Sequence, residues 1–407
     1  MKKLPSLLVL LLIFNSCIEE KKSSLAEGVW LSELVAMDGV ILPFNFKMTK
    51  VDGEHYQMEM YNAEEVIIVD EIEIINDSIT IKFPVYEGYM AGRFSEKFIE
   101  GEFIKESLDR RVPFKATHGI NERFRNSHPS KVNVSGVWET TFDQNTEKEY
   151  KAKGIFTQRG DRVTGTYRTE TGDYRYLDGV VSGDSLKFSA FDGAHAFVFL
   201  AKITEDEMNG AFYYGNHSKT PFEAKRNETF ELTSADSLTF IKEGYDKLSF
   251  SLPNSDGEIV SLEDERFKNK VVVVQIMGTW CPNCLDETKY YIDYLKNNYS
   301  KDLEFVALAF EYAKSRNGAF KSIKRMKDKL GVDYPMLLAQ YGSSDKTLAQ
   351  EKLPMLNHVL SYPTSIFIDK KGNVRKIHTG FNGPATGYKF KEYQKEFDQF
   401  LQRLIAE

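Results

Sequence analysis

The chain has 407 residues, of which 42% are hydrophobic and 28% are charged, and its formal net charge is −7. This length predicts two or three domains with sizeable cores. The acidic balance argues against a nucleic-acid-binding protein, which would usually carry an excess or a stripe of basic residues. The only long apolar run lies at the extreme N-terminus and is too short to span a bilayer, so we do not expect an integral membrane protein.

Residues 1–16 have the pattern of an export signal. Two lysines come first, an unbroken apolar run from Leu7 to Phe14 follows, and the small residue Ser16 stands where a cleavage site should fall. The pattern predicts a protein that acts outside the cytoplasm.

The residues from Phe14 to Cys17 resemble a bacterial lipobox, although Asn15 makes the match a loose one. In that family the signal is cut before the cysteine, whose thiol then carries a diacylglyceryl group. The resemblance implies a lipid anchor on Cys17, a polar tether over residues 17–24, and a place in the bacterial cell envelope facing the periplasm. It does not distinguish the inner from the outer membrane. The alternative is an ordinary signal peptide with an incidental cysteine.

Residues 25–128 and 134–227 form an internal repeat. Three landmarks recur in the same order at an offset of 107 or 108, namely Gly28-Val29-Trp30 with Gly136-Val137-Trp138, Asp77-Ser78 with Asp184-Ser185, and Pro113 to Ala116 with Pro221 to Ala224. Between the landmarks, apolar and polar residues alternate with the period of two that half-buried strands show, and Asp/Gly turns separate the runs. We expect two antiparallel β units of similar build, as barrels or sandwiches.

Two features of the repeat have alternative interpretations. Trp30 and Trp138 could stack on a ligand, but a tryptophan at a repeated strand start is more often part of the core, so we expect both to be buried. The Asp-Ser pairs loosely resemble an O-glycosylation motif of exported bacterial proteins. We favour the simpler interpretation that Asp-Ser initiates turns before strands.

A polar linker is predicted over residues 228–246, and a different pattern begins at residue 247. Val271 to Ile276 is a continuous apolar run, which suits a strand that is covered on both faces. Further strands are predicted over residues 303–310, 334–339, 365–369 and 374–379, and helices over residues 284–298, 317–330, 347–359 and 388–405. This alternation predicts an α/β domain with a central mixed sheet over residues 247–407.

The motif Trp280-Cys281-Pro282-Asn283-Cys284 directly follows the buried strand and opens the next helix. A thiol at a helix N-terminus meets the positive end of the helix dipole and unpaired N–H groups, which favour the thiolate of Cys281. Cys284 lies one turn further on, close enough to resolve a mixed disulfide. The chain has only three cysteines, whereas a secreted protein stapled by disulfides would carry several pairs.

Residues 247–407 resemble the thioredoxin superfamily, and specifically the TlpA/ResA-like extracytoplasmic thiol–disulfide oxidoreductases. One match is the strand followed by Gly278 to Cys284, and a second is Ser361 to Asp369. In the family the proline of the second motif, here Pro363, is cis and packs beside the dithiol, and the preceding residue, here Tyr362, offers backbone hydrogen bonds to the substrate.

The resemblance also assigns roles to individual residues. Cys281 would be the nucleophile, Cys284 the resolving thiol and Pro363 part of the catalytic site, with an acidic residue after the second strand, here Glu311, assisting proton transfer. The residues that would contact the substrate are Trp280, Pro282, Tyr362 and Thr364. The chain departs from many thioredoxins at Gln275, where they place a buried Asp that accepts the proton of the resolving thiol.

The function implied by the resemblance is reduction of protein or peptide disulfides, with a membrane thiol-transferring reductant as the electron source. No cofactor is implied beyond the Cys281–Cys284 disulfide, and no nucleic acid partner is expected. A zinc site would usually need two further Cys or His ligands, and the seven histidines show no paired spacing, so no metal is expected. His358 and His378 could tune the thiols, although packing roles are commoner.

Two other functions remain open at this point. A peroxide-reducing relative of the peroxiredoxins would need a Thr or Ser shortly before its reactive cysteine, and Thr279 is close but misplaced. A binding or surface lipoprotein would use the β repeats to capture a ligand and keep the thioredoxin fold as a scaffold.

Overall fold

The computed structural model describes residues 24–53, 55–126 and 128–407. The predicted export signal, the predicted lipidation site Cys17 and all of the predicted tether except Ser24 lie outside these residues. In the described part of the chain, no helix is both long enough and apolar enough to cross a lipid bilayer.

The first repeat, β unit 1, is one antiparallel sheet of nine strands. Its strands are β1 (Gly28–Val35), β2 (Ile41–Asp52), β3 (His55–Asn62), β4 (Glu65–Val69), β5 (Glu71–Ile75), β6 (Ser78–Lys82), β7 (Tyr89–Phe94), β8 (Phe98–Lys105) and β9 (Arg110–His118). The spatial order is β4-β3-β2-β1-β9-β8-β7-β6-β5, so the two outermost strands are neighbours in the chain and the sheet curls into a barrel-like form.

The second repeat, β unit 2, is a closed barrel. Its strands are β10 (Gly136–Phe142), β11 (Tyr150–Arg159), β12 (Arg162–Thr169), β13 (Gly172–Asp173), β14 (Leu177–Ser182), β15 (Ser185–Phe191), β16 (Ala196–Ile203), β17 (Glu207–Tyr214) and β18 (Ser218–Arg226). The order β11-β10-β18-β17-β16-β15-β14-β12 closes because β11 also pairs with β12. Closure leaves the barrel without open edges.

The two tryptophans of the repeat occupy equivalent core positions. Both are fully buried, as expected. The Trp30 Nε1–H donates to the Ala26 carbonyl at 3.0 Å, and the Trp138 Nε1–H donates to the Val134 carbonyl at 2.9 Å. Each ring therefore ties its first strand to the segment that leads into the unit.

The C-terminal domain has a mixed sheet of five strands in the order β23-β22-β21-β24-β25. Its elements are the hairpin β19 (Ser251–Pro253) and β20 (Ile259–Ser261), then β21 (Val271–Met277), α1 (Pro282–Asn297), β22 (Leu303–Phe310), α2 (Arg316–Leu330), β23 (Met336–Gln340), α3 (Lys346–Lys352), β24 (Thr364–Ile368), β25 (Val374–Thr379) and α4 (Tyr388–Ala406). Strands β21, β22 and β23 are parallel, whereas β24 and β25 run antiparallel. All of β21 is buried, as its unbroken apolar pattern predicted.

The predicted helix over residues 347–359 is wrong in its second half. Helix α3 ends at Lys352, and its C-cap, Leu353, leaves helical geometry with φ −128° and ψ 63°. Pro354 follows, and the ring of a proline disfavours the helical conformation of the residue before it. The remaining residues continue as an irregular segment.

The three parts pack closely. The Phe191 ring of unit 2 stacks on Phe44 of unit 1 with centroids 4.4 Å apart, and the Phe191 backbone is bound by the Asn62 side chain. On the other side of unit 1, Arg325 of α2 donates to both carboxylate oxygens of Glu71, at 3.2 and 2.9 Å. One continuous hydrophobic core joins unit 1 to the C-terminal domain.

Candidate active site

Helix α1 begins directly after Cys281, which is its N-cap residue. The Cys281 Sγ accepts a hydrogen bond from the Cys284 N–H at 3.2 Å, and Pro282 occupies the first helical position, where a missing N–H costs little. Both cysteines are free thiols in this structure. The helix start thus directs the Cys284 N–H at the sulfur that the sequence marks as the nucleophile.

The two thiols differ in their surroundings. Cys281 is 6% exposed, and Cys284 is fully buried. Burial raises the pKa of the Cys284 thiol well above its usual value, and the neighbouring Cys281 and Glu287 add to the effect. A buried neutral thiol is a poor first nucleophile, so the arrangement suits attack by Cys281 and resolution by Cys284.

The loop before β24 closes over the dithiol. Its Tyr362–Pro363 peptide bond is cis, as the resemblance implied. The Tyr362 carbonyl accepts a hydrogen bond from the Cys281 Sγ at 3.4 Å, and the Tyr362 ring lies edge-on to Trp280 with centroids 5.5 Å apart. Thr364 is buried, and its hydroxyl donates to the Ser361 carbonyl at 2.9 Å, so it shapes the loop from within.

Glu311 lies beside the loop that carries the dithiol. Its two carboxylate oxygens accept from the Thr279 N–H at 2.8 Å and the Thr279 hydroxyl at 2.7 Å. Burial raises the pKa of Glu311 to about 7, against the lowering effect of these hydrogen bonds. Among the contacts of the described residues, the Glu311 carboxyl bonds to neither cysteine, and its predicted role in proton transfer stays a prediction.

A second buried carboxyl, Glu287, was missed in the sequence. It sits on α1 three residues after Cys284, so the two side chains share one helix face, and this spacing was the signal that could have found it. Gln275 of β21 links them, because its Nε2 donates to Glu287 Oε2 at 2.8 Å and to the Cys284 carbonyl at 3.4 Å. Burial raises the pKa of Glu287 to about 7, partly offset by hydrogen bonds that include one from the Ser365 hydroxyl at 2.8 Å.

The barrel of unit 2 packs beside the dithiol, which no pattern in the sequence indicated. The Asn283 side chain, inside the CxxC motif, donates to the Asp173 carbonyl at 3.0 Å, and the Ser361 hydroxyl donates to the Thr171 carbonyl at 2.7 Å. Gly172 permits this approach, since a Cβ there would lie 2.3 Å from the Asn283 Nδ2. The junction leaves an open cleft of about 850 Å³ with Cys281 in its lining.

Of the two candidate histidines, His378 is bound to a carboxylate away from the cysteines. The His378 Nδ1 pairs with Asp236 Oδ1 at 2.6 Å, and the ring packs 5.0 Å from that of Tyr393. Within the described ranges, no group of three or more His, Cys, Asp or Glu side chains is placed to hold a metal ion.

The comparisons with known proteins match the C-terminal domain. The Redoxin family model matches residues 242–395. Thioredoxin-like protein YneN of Bacillus subtilis is 30% identical over 140 residues, which cover 34% of this chain and 73% of that protein. The chain belongs to the TlpA/ResA-like branch of the thioredoxin superfamily. Thiol-disulfide oxidoreductase ResA of the same organism is 28% identical over 142 residues, which cover 34% of this chain and 69% of that protein.

Membership of this branch confirms the predicted enzyme class, a thioredoxin-like thiol–disulfide oxidoreductase. A solved thiol-disulfide oxidoreductase from Bacteroides fragilis is also similar, with 23% identity, a TM-score of 0.27 and coverage of 37% of this chain and 99% of that chain. The predicted fold class is confirmed as well, because an all-β N-terminal region with barrel-like sheets precedes the thioredoxin-like domain.

Proposed function

We propose that this TlpA/ResA-like chain is a lipid-anchored, extracytoplasmic protein disulfide reductase that works through the Cys281–Cys284 dithiol. The observation that carries the proposal is the position of the Cys281 sulfur. It caps α1, accepts the Cys284 N–H, contacts the carbonyl before Pro363 and lies in an open cleft. A substrate disulfide can reach this sulfur, whereas the fully buried Cys284 can meet only Cys281.

The reaction proceeds in two exchanges. The Cys281 thiolate attacks one substrate sulfur, so that a mixed disulfide forms, the substrate S–S bond breaks and one substrate thiol leaves. Cys284 then gives up its proton and attacks Cys281 Sγ, which releases the second substrate thiol and leaves the Cys281–Cys284 disulfide. The substrate gains two electrons and two protons. A membrane thiol-transferring reductant would return the dithiol to its reduced state.

The anchoring part of the proposal rests on the N-terminal sequence. The lipobox-like run ending at Cys17 supports lipidation after export, and the acyl chains would hold the protein through about 0.8 kcal/mol per buried CH₂ group. The absence of other thiols after Cys17, apart from the CxxC pair, suits an oxidising compartment, where stray cysteines would form unwanted disulfides.

The surroundings of Thr279 weigh against a peroxidase. A peroxidase of the peroxiredoxin type would use a Thr or Ser hydroxyl near the reactive sulfur, but the Thr279 hydroxyl is bound to Glu311 at 2.7 Å. The cleft beside Cys281 also fits an exchange with a second disulfide, which a binding protein would not need.

The deciding experiment measures the reduction potential of the Cys281–Cys284 pair and captures the mixed disulfide with a substrate. We expect a reduction potential near the thioredoxin level of about −270 mV when the pair is equilibrated with dithiothreitol buffers. Cys284→Ser should accumulate a mixed disulfide through Cys281 when it is offered a disulfide peptide, and Cys281→Ser should not. A potential toward about −120 mV would make the protein an oxidant. If the Cys281–Cys284 pair cannot be oxidised and reduced reversibly, the chain would instead be a binding protein that keeps the thioredoxin fold as a scaffold.

A further inference from the structure

We infer that β unit 2 is the substrate-recognition wall of the active site, and that it selects disulfides in extended peptide segments that carry an aromatic or large apolar side chain beside the cystine. This inference rests on the proposed function and names the substrate class of the same site. It begins from the cleft of about 850 Å³ that lies between the dithiol loop and one end of the barrel.

The wall is built at a single rim of the barrel. In an antiparallel barrel the start of one strand meets the end of the next, and the aromatic residues of the cleft follow that rule. Tyr150 begins β11, Phe197 is the second residue of β16, Tyr214 ends β17, and Tyr174 directly follows β13. Three strands and the residue that follows β13 therefore each place an aromatic ring at the cleft that Cys281 also lines.

The rings form one connected surface. The Tyr150 and Tyr174 hydroxyls are 2.7 Å apart, the Tyr174 and Phe197 centroids are 5.5 Å apart, and those of Phe197 and Tyr214 are 5.0 Å apart. His195 stacks on Phe197 at 4.5 Å. The partly buried rings of Tyr150, Tyr174 and Tyr214 offer stacking and apolar contact to a side chain that enters the cleft, and Phe197, which is only 5% exposed, supports them from the core of the barrel.

The barrel cannot take the ligand into its interior. A barrel of eight strands is either filled by side chains or holds one small ligand. Here the interior is filled by rings that include Phe142, Tyr167 and Phe199, all of them fully buried. The binding surface that remains is the rim, and the rim faces the dithiol.

The barrel is held rigidly enough to act as a wall. The Gly383 N–H donates to Asp173 Oδ2 at 2.6 Å, and the Arg168 Nε donates to Asn382 Oδ1 at 2.9 Å. Together with the Asn283 and Ser361 contacts, these bonds fix the rim on both sides of the dithiol. A preorganised site loses less entropy when the substrate binds.

The charge and size of the cleft indicate the occupant. The exposed charged residues of its lining balance in sign: Lys151, Lys346, Glu149 and Glu170. The lining also includes the buried Asp173, whose carboxylate accepts the backbone N–H groups of Gly383 and Arg175. A neutral edge gives no preference for a charged substrate. The volume lies within the range of small-ligand pockets, roughly 300–1,000 Å³, so a folded domain does not fit but an extended chain does.

The test compares two short disulfide peptides that differ in one residue beside the cystine, Phe in one and Ser in the other. The full chain should reduce the Phe peptide with the higher kcat/KM. In Tyr150→Ala and in Tyr214→Ala, the Phe-to-Ser ratio of kcat/KM should fall by roughly twofold to tenfold, mainly through KM. Tyr89→Ala removes a tyrosine of unit 1 that is also partly exposed but lies outside the cleft, and it should keep the wild-type ratio.

The outcomes separate this inference from the proposed function. If the wild-type chain reduces neither peptide nor oxidised glutathione, the proposed function fails. If it reduces both peptides equally well, or reduces a folded disulfide protein better than either, the peptide-selecting cleft is wrong. A preference for Phe that survives in both tyrosine variants would assign recognition to the thioredoxin side of the cleft and overturn the role of the barrel. The wild-type ratio of kcat/KM tests the preference for the Phe peptide by itself, so that part of the inference is tested even if a tyrosine variant fails to fold.

Discussion

The proton of the resolving thiol is the chemical problem of this active site. Cys284 is fully buried with a raised pKa, and Gln275, which occupies the position of the usual buried Asp, cannot act as a base. Two buried carboxyls, Glu287 and Glu311, have pKa values raised by burial to about 7. Glu287 connects to the Cys284 backbone through Gln275, whereas Glu311 binds Thr279 on the preceding loop.

We predict that Glu287→Gln slows the release of substrate from the mixed disulfide at pH 8, by roughly tenfold or more. Glu287 is protonated below its pKa of about 7 and ionised above it, so it can accept the Cys284 proton only on the alkaline side. Wild-type release should therefore rise through pH 7, and the variant should lose that step. Single-turnover release measured across pH 6 to 9 gives the profile.

Glu311→Gln is the matched control, since Glu311 is equally buried and its pKa is also about 7. It should change the release rate much less. The reverse result would support the role that the sequence suggested for Glu311. Faster release in Glu287→Gln would mean that Glu287 acts only as a like charge that raises the pKa of Cys284.

These residues also show what the sequence could and could not reveal about the site. Cys281 and Cys284 stand in a local motif at the start of a helix, so their placement follows from that motif, whereas the place of Pro363 was implied by the family resemblance. Glu287 has no motif of its own. It becomes visible only when the i, i+3 spacing from Cys284 is combined with the knowledge that this face of α1 points inward.

The elements were predictable where periodicity and turn residues agree. The predicted strand over residues 303–310 coincides with β22 (Leu303–Phe310), and the predicted final helix nearly matches α4. The helix over residues 347–359 was predicted too long because the apolar spacing continues past Pro354, whereas the helical backbone ends at Lys352. The barrel of unit 2 closes because β11 pairs with β12. An alternating pattern predicts a strand but does not say which strand it pairs with or in which register, so this closure could not be predicted.

We predict that Trp30→Phe and Trp138→Phe lower the free energy of unfolding of their β units by similar amounts, about 2–3 kcal/mol each. Each substitution leaves a void and removes the indole N–H that binds a backbone carbonyl four residues earlier. Urea unfolding followed by circular dichroism measures the change. Phe98→Ala, at a ring that is 60% exposed on β8, is the control and should cost no more than about 0.5 kcal/mol. A tryptophan variant with the stability of the control would show that its ring is not part of the supporting core.

At the scale of the whole molecule, the decisive contacts join residues that are far apart in sequence. Asp173 meets Asn283 and Gly383, and neither a repeat nor a motif indicates that meeting. The sequence predicted the fold class, an all-β repeat followed by a thioredoxin-like domain. How the two β units and this domain pack around the dithiol depends on side chains that belong to no motif. The function of the β repeats was open for the same reason.

A buried ionic cluster holds the three parts together. Arg175 of unit 2 pairs with Glu65 of unit 1, with Asp192 at 3.5 Å and with Asp286 of α1 at 3.3 Å. Burial raises the pKa of Glu65 and of Asp286, while Arg175 acts in the opposite direction. One guanidinium thus compensates carboxylates from both β units and from the helix that carries the dithiol.

We predict that Arg175→Ala weakens the docking of unit 2 on the dithiol by about 3–5 kcal/mol, because Glu65, Asp192 and Asp286 lose the guanidinium that they share. Carboxyls with raised pKa values are stable when protonated, so stability falls as the pH rises through those values. The loss should therefore be larger at the higher of two pH values that bracket the titration of Glu65 and Asp286. Undocking exposes Cys281 further, so its alkylation should become faster and unit 2 should become easier to proteolyse.

Arg162→Ala is the control, since Arg162 pairs with Asp178 at 3.0 Å at the surface of the same barrel. Loss of this ion pair should lower stability by less than about 1 kcal/mol. Unchanged alkylation in Arg175→Ala, at both pH values, would show that the barrel is held over the dithiol by other contacts.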